Sequence, residues 1–189
     1  MGNYDGFKFD QTELIDKVTS LSPSNVTAST PLPFHCVLVS NTSKEIDKEY
    51  LKRAGMLLYI AQGTKPNISY EVNFLARYFM GPDNSHWEAL ENLISYLHKT
   101  STFGIQISHT KEKPSLDCFV DSNWGGEGNR STHGYLLMHG KNPIMCKFKR
   151  QETIVASVAQ AVYMALSFAA KEELWLFNMF QPFLNIPCP

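Results

Sequence analysis

Apolar positions recur at three- and four-residue intervals through the middle of the chain and at shorter, alternating intervals after it, so the sequence predicts helices first and strands later. Tyr50, Leu51, Ala54, Leu57, Leu58 and Ala61 make one such stripe over about Asp47 to Gln62, and Gly63-Thr64-Lys65-Pro66 ends it. A second helix begins near Asn67, whose side chain is a candidate cap, and places Val72, Leu75, Ala76 and Phe79 on one face before Gly81-Pro82. A third opens at Asp83-Asn84-Ser85 and carries Trp87, Leu90, Leu93, Ile94 and Leu97. The short connections imply a compact helical cluster.

From Thr102 the period changes. Phe103 to Ile107, Leu116 to Val120, Gly134 to Met138 and Ile144 to Phe148 are strand signals, with His139-Gly140-Lys141-Asn142-Pro143 as the turn of an antiparallel hairpin. Thr153 to Phe180 has neither Gly nor Pro and repeats Val155, Val158, Ala159, Val162, Ala165, Leu166 and Ala169 at helical spacing, which predicts one long helix packed on the strands. Before all this, Phe7-Lys8-Phe9 reads as a short strand and Gln11 to Ser20 as a helix with Leu14, Ile15 and Val18 on one side. The Ser- and Pro-rich stretch from Ser22 to Ser43 reads as an extended linker. The expected class is therefore α+β, divided into a tail and linker over 1–44, a helical segment over 45–101, and strands with one long helix over 102–189.

Composition narrows what such a fold can do. The 189 residues are 43% hydrophobic and carry a formal net charge of −1, so the chain has enough apolar material for a core but no overall excess of positive charge for polynucleotides. Any contact with phosphates has to come from a local basic face. Cys36, Cys118, Cys146 and Cys188 form no CxxC pair, which argues against zinc and for a reducing compartment. Four glycosylation-type triplets carry no weight without an apolar N-terminal signal, and no apolar run reaches the length of a membrane span; the expectation is a soluble, intracellular protein without a membrane partner. Phosphate-loop, dinucleotide-turn and HExxH motifs are all absent.

One segment carries more specific chemistry. Cys118-Phe119-Val120-Asp121-Ser122-Asn123-Trp124-Gly125-Gly126, then Arg130-Ser131-Thr132-His133-Gly134-Tyr135, Gln151, Tyr163-Met164-Ala165-Leu166 and Ala169-Ala170-Lys171-Glu172 resemble the RNase H domain of Ty1/copia-type retrotransposon Pol polyproteins. Upstream, Ser29-Thr30-Pro31-Leu32-Pro33, Thr64-Lys65-Pro66-Asn67-Ile68-Ser69 and His86-Trp87 resemble the same family's segment between palm and RNase H. The matching positions run in one order from about Ser29 to Trp175. The resemblance implies a thumb- or connection-like helical segment followed by an incomplete RNase H-like subdomain of antiparallel strands plus one long helix.

The resemblance also says what is missing. A two-metal nuclease needs several converging carboxylates. Asp121 matches the family's acid on the first strand and is the one retained, a weak metal ligand by itself. Gln160 stands where the family has an acid, Val162 where it has another, and the family's remaining acids lie beyond the sequence that ends at Pro189. The implied protein is a degenerate Pol fragment without autonomous catalysis, needing no cofactor and retaining nucleic-acid or protein binding; Gln160 itself reads as a helix residue facing the sheet, hydrogen-bonded to Asp121 or water, or else as a weak metal contact. Arg130, Lys147, Lys149 and Arg150 are the candidate phosphate contacts. One alternative is a ribonuclease acting on RNA–DNA hybrids with Mg2+ or Mn2+, completed by a partner chain. Another is a domesticated interaction module whose open sheet edge takes up a protein strand or Pol-like chain.

Overall fold

The computed structural model describes residues 6–22, 28–34, 36, 38–39, 45–109 and 115–184. The architecture is mixed α+β, and the chain divides into two compact units, Phe7–Gln106 and Ile107–Pro189. The break expected near Ser43 falls inside the first unit, within residues 40–44, which lie outside the described residues.

The first unit is built from α1 (Thr12–Thr19), α2 (Lys48–Gly63), α3 (Ser69–Leu75) and α4 (Asn84–Lys99). Strands β1 (Phe7–Phe9) and β2 (Ile105–Ile107) pair into a two-stranded sheet at its ends. Asp47 caps α2 by accepting from the N–H groups of Glu49 and Tyr50 at 2.9 and 3.1 Å, while its other oxygen accepts from Trp87 Nε1 at 3.1 Å. Asp83 caps α4 in the same way, accepting from Ser85 N and His86 N at 2.9 and 3.2 Å. The buried His86 returns the bond, its Nδ1 accepting from Asp83 N at 3.0 Å. Asn67, expected as a cap, is not one; its Nδ2 donates to Tyr96 Oη at 3.2 Å, and a short 3-10 turn over Pro66–Ile68 leads into α3.

Ile15 and Val18 of α1 are fully buried with Leu57, Ile60, Leu75, Leu90, Leu93 and Leu97. The part of the chain read as a tail therefore supplies core. Described residues of the stretch read as a linker are tied down: Ala28 N donates to Ser95 Oγ at 3.0 Å, and Asn92 Nδ2 donates to the carbonyls of Thr30 and Pro31, each at 3.0 Å. Backbone groups without a ladder of their own are satisfied by side chains of α4.

The second unit is a three-stranded antiparallel sheet in the order β3-β4-β5, from Leu116–Asn123, Thr132–His139 and Asn142–Arg150, with one long helix, α5 (Val158–Leu184). Gly140 turns the β4–β5 hairpin in the left-handed region at φ 59°, where a Cβ would be strained. The helix starts five residues later than its apolar period suggests. Gln151 N donates to Ser131 O at 2.7 Å and Trp124 Nε1 to Val155 O at 3.1 Å, holding the approach in a non-helical course until Ser157. Ala161, Ala165 and Ala169 form the buried line of α5, small enough to bring it close to the sheet. The core beneath joins Tyr135, Leu137 and Leu176 with the partly buried Leu116, Cys118 and Val120. Cys118 and Cys146 lie on strands that β4 separates, Cys118 pairing with Leu137 and Cys146 with Leu136.

Candidate functional site

Strand β3 alternates strictly, with Leu116, Cys118, Val120 and Ser122 partly buried and Asp117, Phe119, Asp121 and Asn123 exposed. Since Cys118 and Val120 pack in the core with Ala169 and Leu176 of α5, period two sends Asp121 to the face of the sheet turned from the helix. There Asp121 stands opposite Gly134, and its Oδ1 accepts from the backbone N–H of Ser122 at 2.9 Å. Phe148, paired with Gly134 from the other side, crowds that glycine: an added Cβ would meet its ring at 2.6 Å.

Gln160 is hydrogen-bonded within its own helix start. Its Oε1 accepts from Ala156 N at 2.9 Å while Ser157 Oγ accepts from Gln160 N at 3.2 Å. A Ser followed three residues later by Gln, each serving a backbone N–H at a helix start, is a close variant of the capping box. Gln160 is therefore bonded to the first turn of α5 and not to Asp121. Gln160→Ala is expected to lower stability by about 1 kcal/mol, the usual cost of a lost cap, and Ser157→Ala by a similar amount; thermal unfolding of the two single variants and the double checks it, the double falling short of the sum because both act on one turn.

The four candidate phosphate contacts occupy three settings. Alternation along β5 puts Lys147 and Lys149 on one side, facing α5: Lys147 Nζ lies 3.4 Å from Glu172 Oε1, and Lys149 Nζ lies 2.7 Å from Glu152 Oε1 and 5.5 Å from the Phe168 ring. Period two sends Arg150, at the strand end, to the other side, and its guanidinium reaches the turn at Gly128. Arg130 is exposed on the segment before β4. The partners Glu152 and Glu172 escaped sequence reasoning: Glu172 meets its lysine, 25 residues earlier, only once α5 lies on the sheet, and Glu152 stands three residues past Lys149 in the irregular run between β5 and α5.

At this end of the unit lies a buried polar group that the sequence did not single out as a set. Ser122 Oγ, Ser131 Oγ, His133 Nδ1 and Gln151 Oε1 are buried without a hydrogen-bond partner among the described residues, while Gln151 Nε2 donates to Ala161 O at 2.9 Å. His133 packs on Phe168 with ring centroids 5.0 Å apart. Burial, then the charges of Lys149 and Lys147, hold its imidazole below the ordinary histidine range. A base depressed in the folded state binds fewer protons there than when unfolded, so the term it contributes is lost as pH falls below about 6.5. The sheet unit is expected to lose stability on acidification through that window, and His133→Gln to flatten the loss, read as midpoints of urea unfolding at pH 7 and pH 5.

Among the described residues no group of three or more His, Cys, Asp or Glu converges as a metal site, and no helix is long and apolar enough to cross a membrane. The donor chemistry of Asp121 and Gln160 does not fit a two-metal centre: the carboxylate faces away from α5, and the side chain at position 160 is spent on a helix cap.

An α+β chain with this order of elements can now be set beside known proteins. It is 33% identical over 129 residues, 67% of its length and 90% of the relative's, to a protein named secreted RxLR effector protein 161 from Plasmopara viticola. It is 33% identical over 144 residues to the retrovirus-related Pol polyprotein from transposon RE2 of Arabidopsis thaliana, spanning 10% of that polyprotein. A third relative, the uncharacterized mitochondrial protein AtMg00810 of Arabidopsis thaliana, is 33% identical over 150 residues, 62% of its length. The chain belongs to the family of copia-type retrotransposon Pol polyproteins, whose transposon members it matches over most of its own length. No protein-family profile matches it. No solved structure matches it either.

Proposed function

We propose that this chain is the thumb- or connection-like segment and RNase H-like subdomain of a copia-type Pol protein in which hydrolysis has been lost and binding of nucleic acid remains. The observation that carries the loss is the separation of Asp121 from Gln160: the one retained acid points off the helix-free face of the sheet, and the residue at the second acid's position is bonded into the start of α5. Two-metal hydrolysis depends on carboxylates that converge on both ions. A neutral amide already serving a backbone N–H does not replace one of them.

Binding rests on Lys147 and Lys149 on the α5 side of β5, with the exposed Arg130 and, on the other side of the sheet, Arg150 as further candidate contacts. The side chains of Lys147 and Lys149 are 51% and 42% exposed and sit in surface ion pairs, each worth about 0–1 kcal/mol. Phosphate oxygens can take the place of Glu172 and Glu152 at little cost. With a net charge of −1, the affinity comes from these local cations and falls with salt; two phosphate contacts through Lys147 and Lys149 give a slope of log K against log salt of about −1.5 to −2. The reading is tested with a labelled RNA–DNA hybrid. No cleavage in Mg2+ or Mn2+ above that of Asp121→Asn is expected, Gln160→Glu restores none, and Lys147→Glu with Lys149→Glu weakens binding about tenfold or more. Cleavage that Asp121→Asn abolishes would overturn it in favour of a working nuclease.

A further inference from the structure

Trp124 directly follows β3, two residues past Ser122, and stands on the α5 side of the sheet. Its indole Nε1 donates to Val155 O at 3.1 Å, and Val155 is itself buried in the non-helical run before α5. One edge of the ring is thereby fixed. A tryptophan that closes a core is highly buried even where it is not fully so. Trp124 stays 47% exposed although its polar atom is pinned. The next residue, Gly125, places no side chain beside it, and a Cβ built there would have nothing within 4 Å. The ring is held in one orientation with apolar surface left in water.

Two cations gather in the same run. Lys149 Nζ lies 2.7 Å from Glu152 Oε1, and the Glu152 side chain is 81% exposed. Its carboxyl is held below the ordinary range first by the hydrogen bond from Lys149 and the charge of that lysine, and further by the charge of Arg130. Lys149 and Arg130 therefore share one exposed carboxylate. Glu152 precedes Val155 by three residues, a span of at most about 11 Å of extended chain. The shared carboxylate and the carbonyl that fixes the indole belong to one short stretch of backbone.

An exposed aromatic ring close to cations is the combination that single-stranded nucleic acid uses: bases stack on the ring, and phosphates take the place of the acid between the cations. A base inside a duplex is stacked on its neighbours, whereas an unpaired base is free to turn onto an aromatic side chain. We propose that Trp124 is a stacking platform for an unpaired base of a single-stranded nucleic acid, with the adjoining phosphates held by Lys149 and Arg130. The assignment rests on the nucleic-acid reading above and extends it by an aromatic contact and by the single-stranded form of the ligand.

The test is fluorescence anisotropy of the full chain with a labelled oligothymidylate and with an oligomer of the same length and charge made of abasic sites. The wild-type chain is expected to bind the base-bearing oligomer about tenfold or more tighter than the abasic one. Trp124→Leu is expected to bring the two oligomers level, and circular dichroism checks that the variant folds. Trp124→Phe, which keeps a ring at the position, gives a second readout: it is expected to retain part of the preference while losing most of the quenching of tryptophan emission that the base-bearing oligomer causes in the wild-type chain. Level binding of the two oligomers by the wild-type chain would overturn the platform and leave the nucleic-acid reading standing. Binding of neither oligomer would overturn both. A folded Trp124→Leu variant that still prefers the base-bearing oligomer, or quenching unchanged in Trp124→Phe, would also overturn the platform.

Discussion

Tyr50→Ala is expected to cost the helical unit about 3–5 kcal/mol, against about 1 kcal/mol for Tyr50→Phe. Tyr50 is fully buried, and its ring meets Trp87 edge-on at 5.3 Å and Phe79 at 6.3 Å between centroids. Its hydroxyl donates to Leu75 O at 3.2 Å, where α3 passes into a 3-10 turn. One residue at the start of α2 thus joins α3 and α4. Alanine removes the aromatic contacts and opens a cavity besides losing the hydrogen bond to the Leu75 carbonyl, whereas phenylalanine loses only that hydrogen bond. A typical domain holds about 5–15 kcal/mol, so the alanine variant should be largely unfolded at moderate urea while the phenylalanine variant keeps a cooperative transition. Far-UV circular dichroism against urea reads the difference. Similar midpoints for the two variants would mean that the packing among Tyr50, Trp87 and Phe79 does not hold the unit together.

Why the helices were legible is clear from the same residues. Asp47 and Asp83 are acids followed by apolar positions at helical spacing, and both became N-caps with two backbone donors each. The strands were legible because alternation survives in β3 residue by residue. What failed to show was anything set by partners far along the chain. The Ser/Pro stretch gives no sign that Ser95 and Asn92 will hold it. Asn67 has the composition of a cap, but Tyr96 takes its amide. At the site the same rule holds: period two is enough to place Asp121 on one face and Lys147 with Lys149 on another, but Gln160 reads as a former acid until its own helix start claims it. Residue type suggested its history, and local hydrogen bonding gave its present use.

Lys65→Met is expected to destabilise the helical unit by about 1.5–3 kcal/mol near pH 7, the range for a hydrogen bond involving a charged group, and the deficit should widen as pH rises. Lys65 is 1% exposed, directly after α2, with its ammonium donating to the carbonyl of Thr100, the C-cap of α4, and lying 5.5 Å from the Phe103 ring. A cation there meets the negative end of the helix and one of its orphan carbonyls. Burial holds the Lys65 amine below its ordinary range, Lys8 adds to that, and Asp10 opposes it. Between the lowered folded value and about 10.4, the unfolded chain binds more protons at this residue than the folded chain does. The Lys65 term therefore favours folding increasingly through that window, and the neutral amine still has hydrogens to donate to Thr100. Methionine fills the volume but donates nothing and titrates nowhere. Urea midpoints of wild type and variant at pH 7 and pH 9.5 separate these effects. A gap that narrows toward pH 9.5 would show that the buried ammonium, as a charge, is what Thr100 requires.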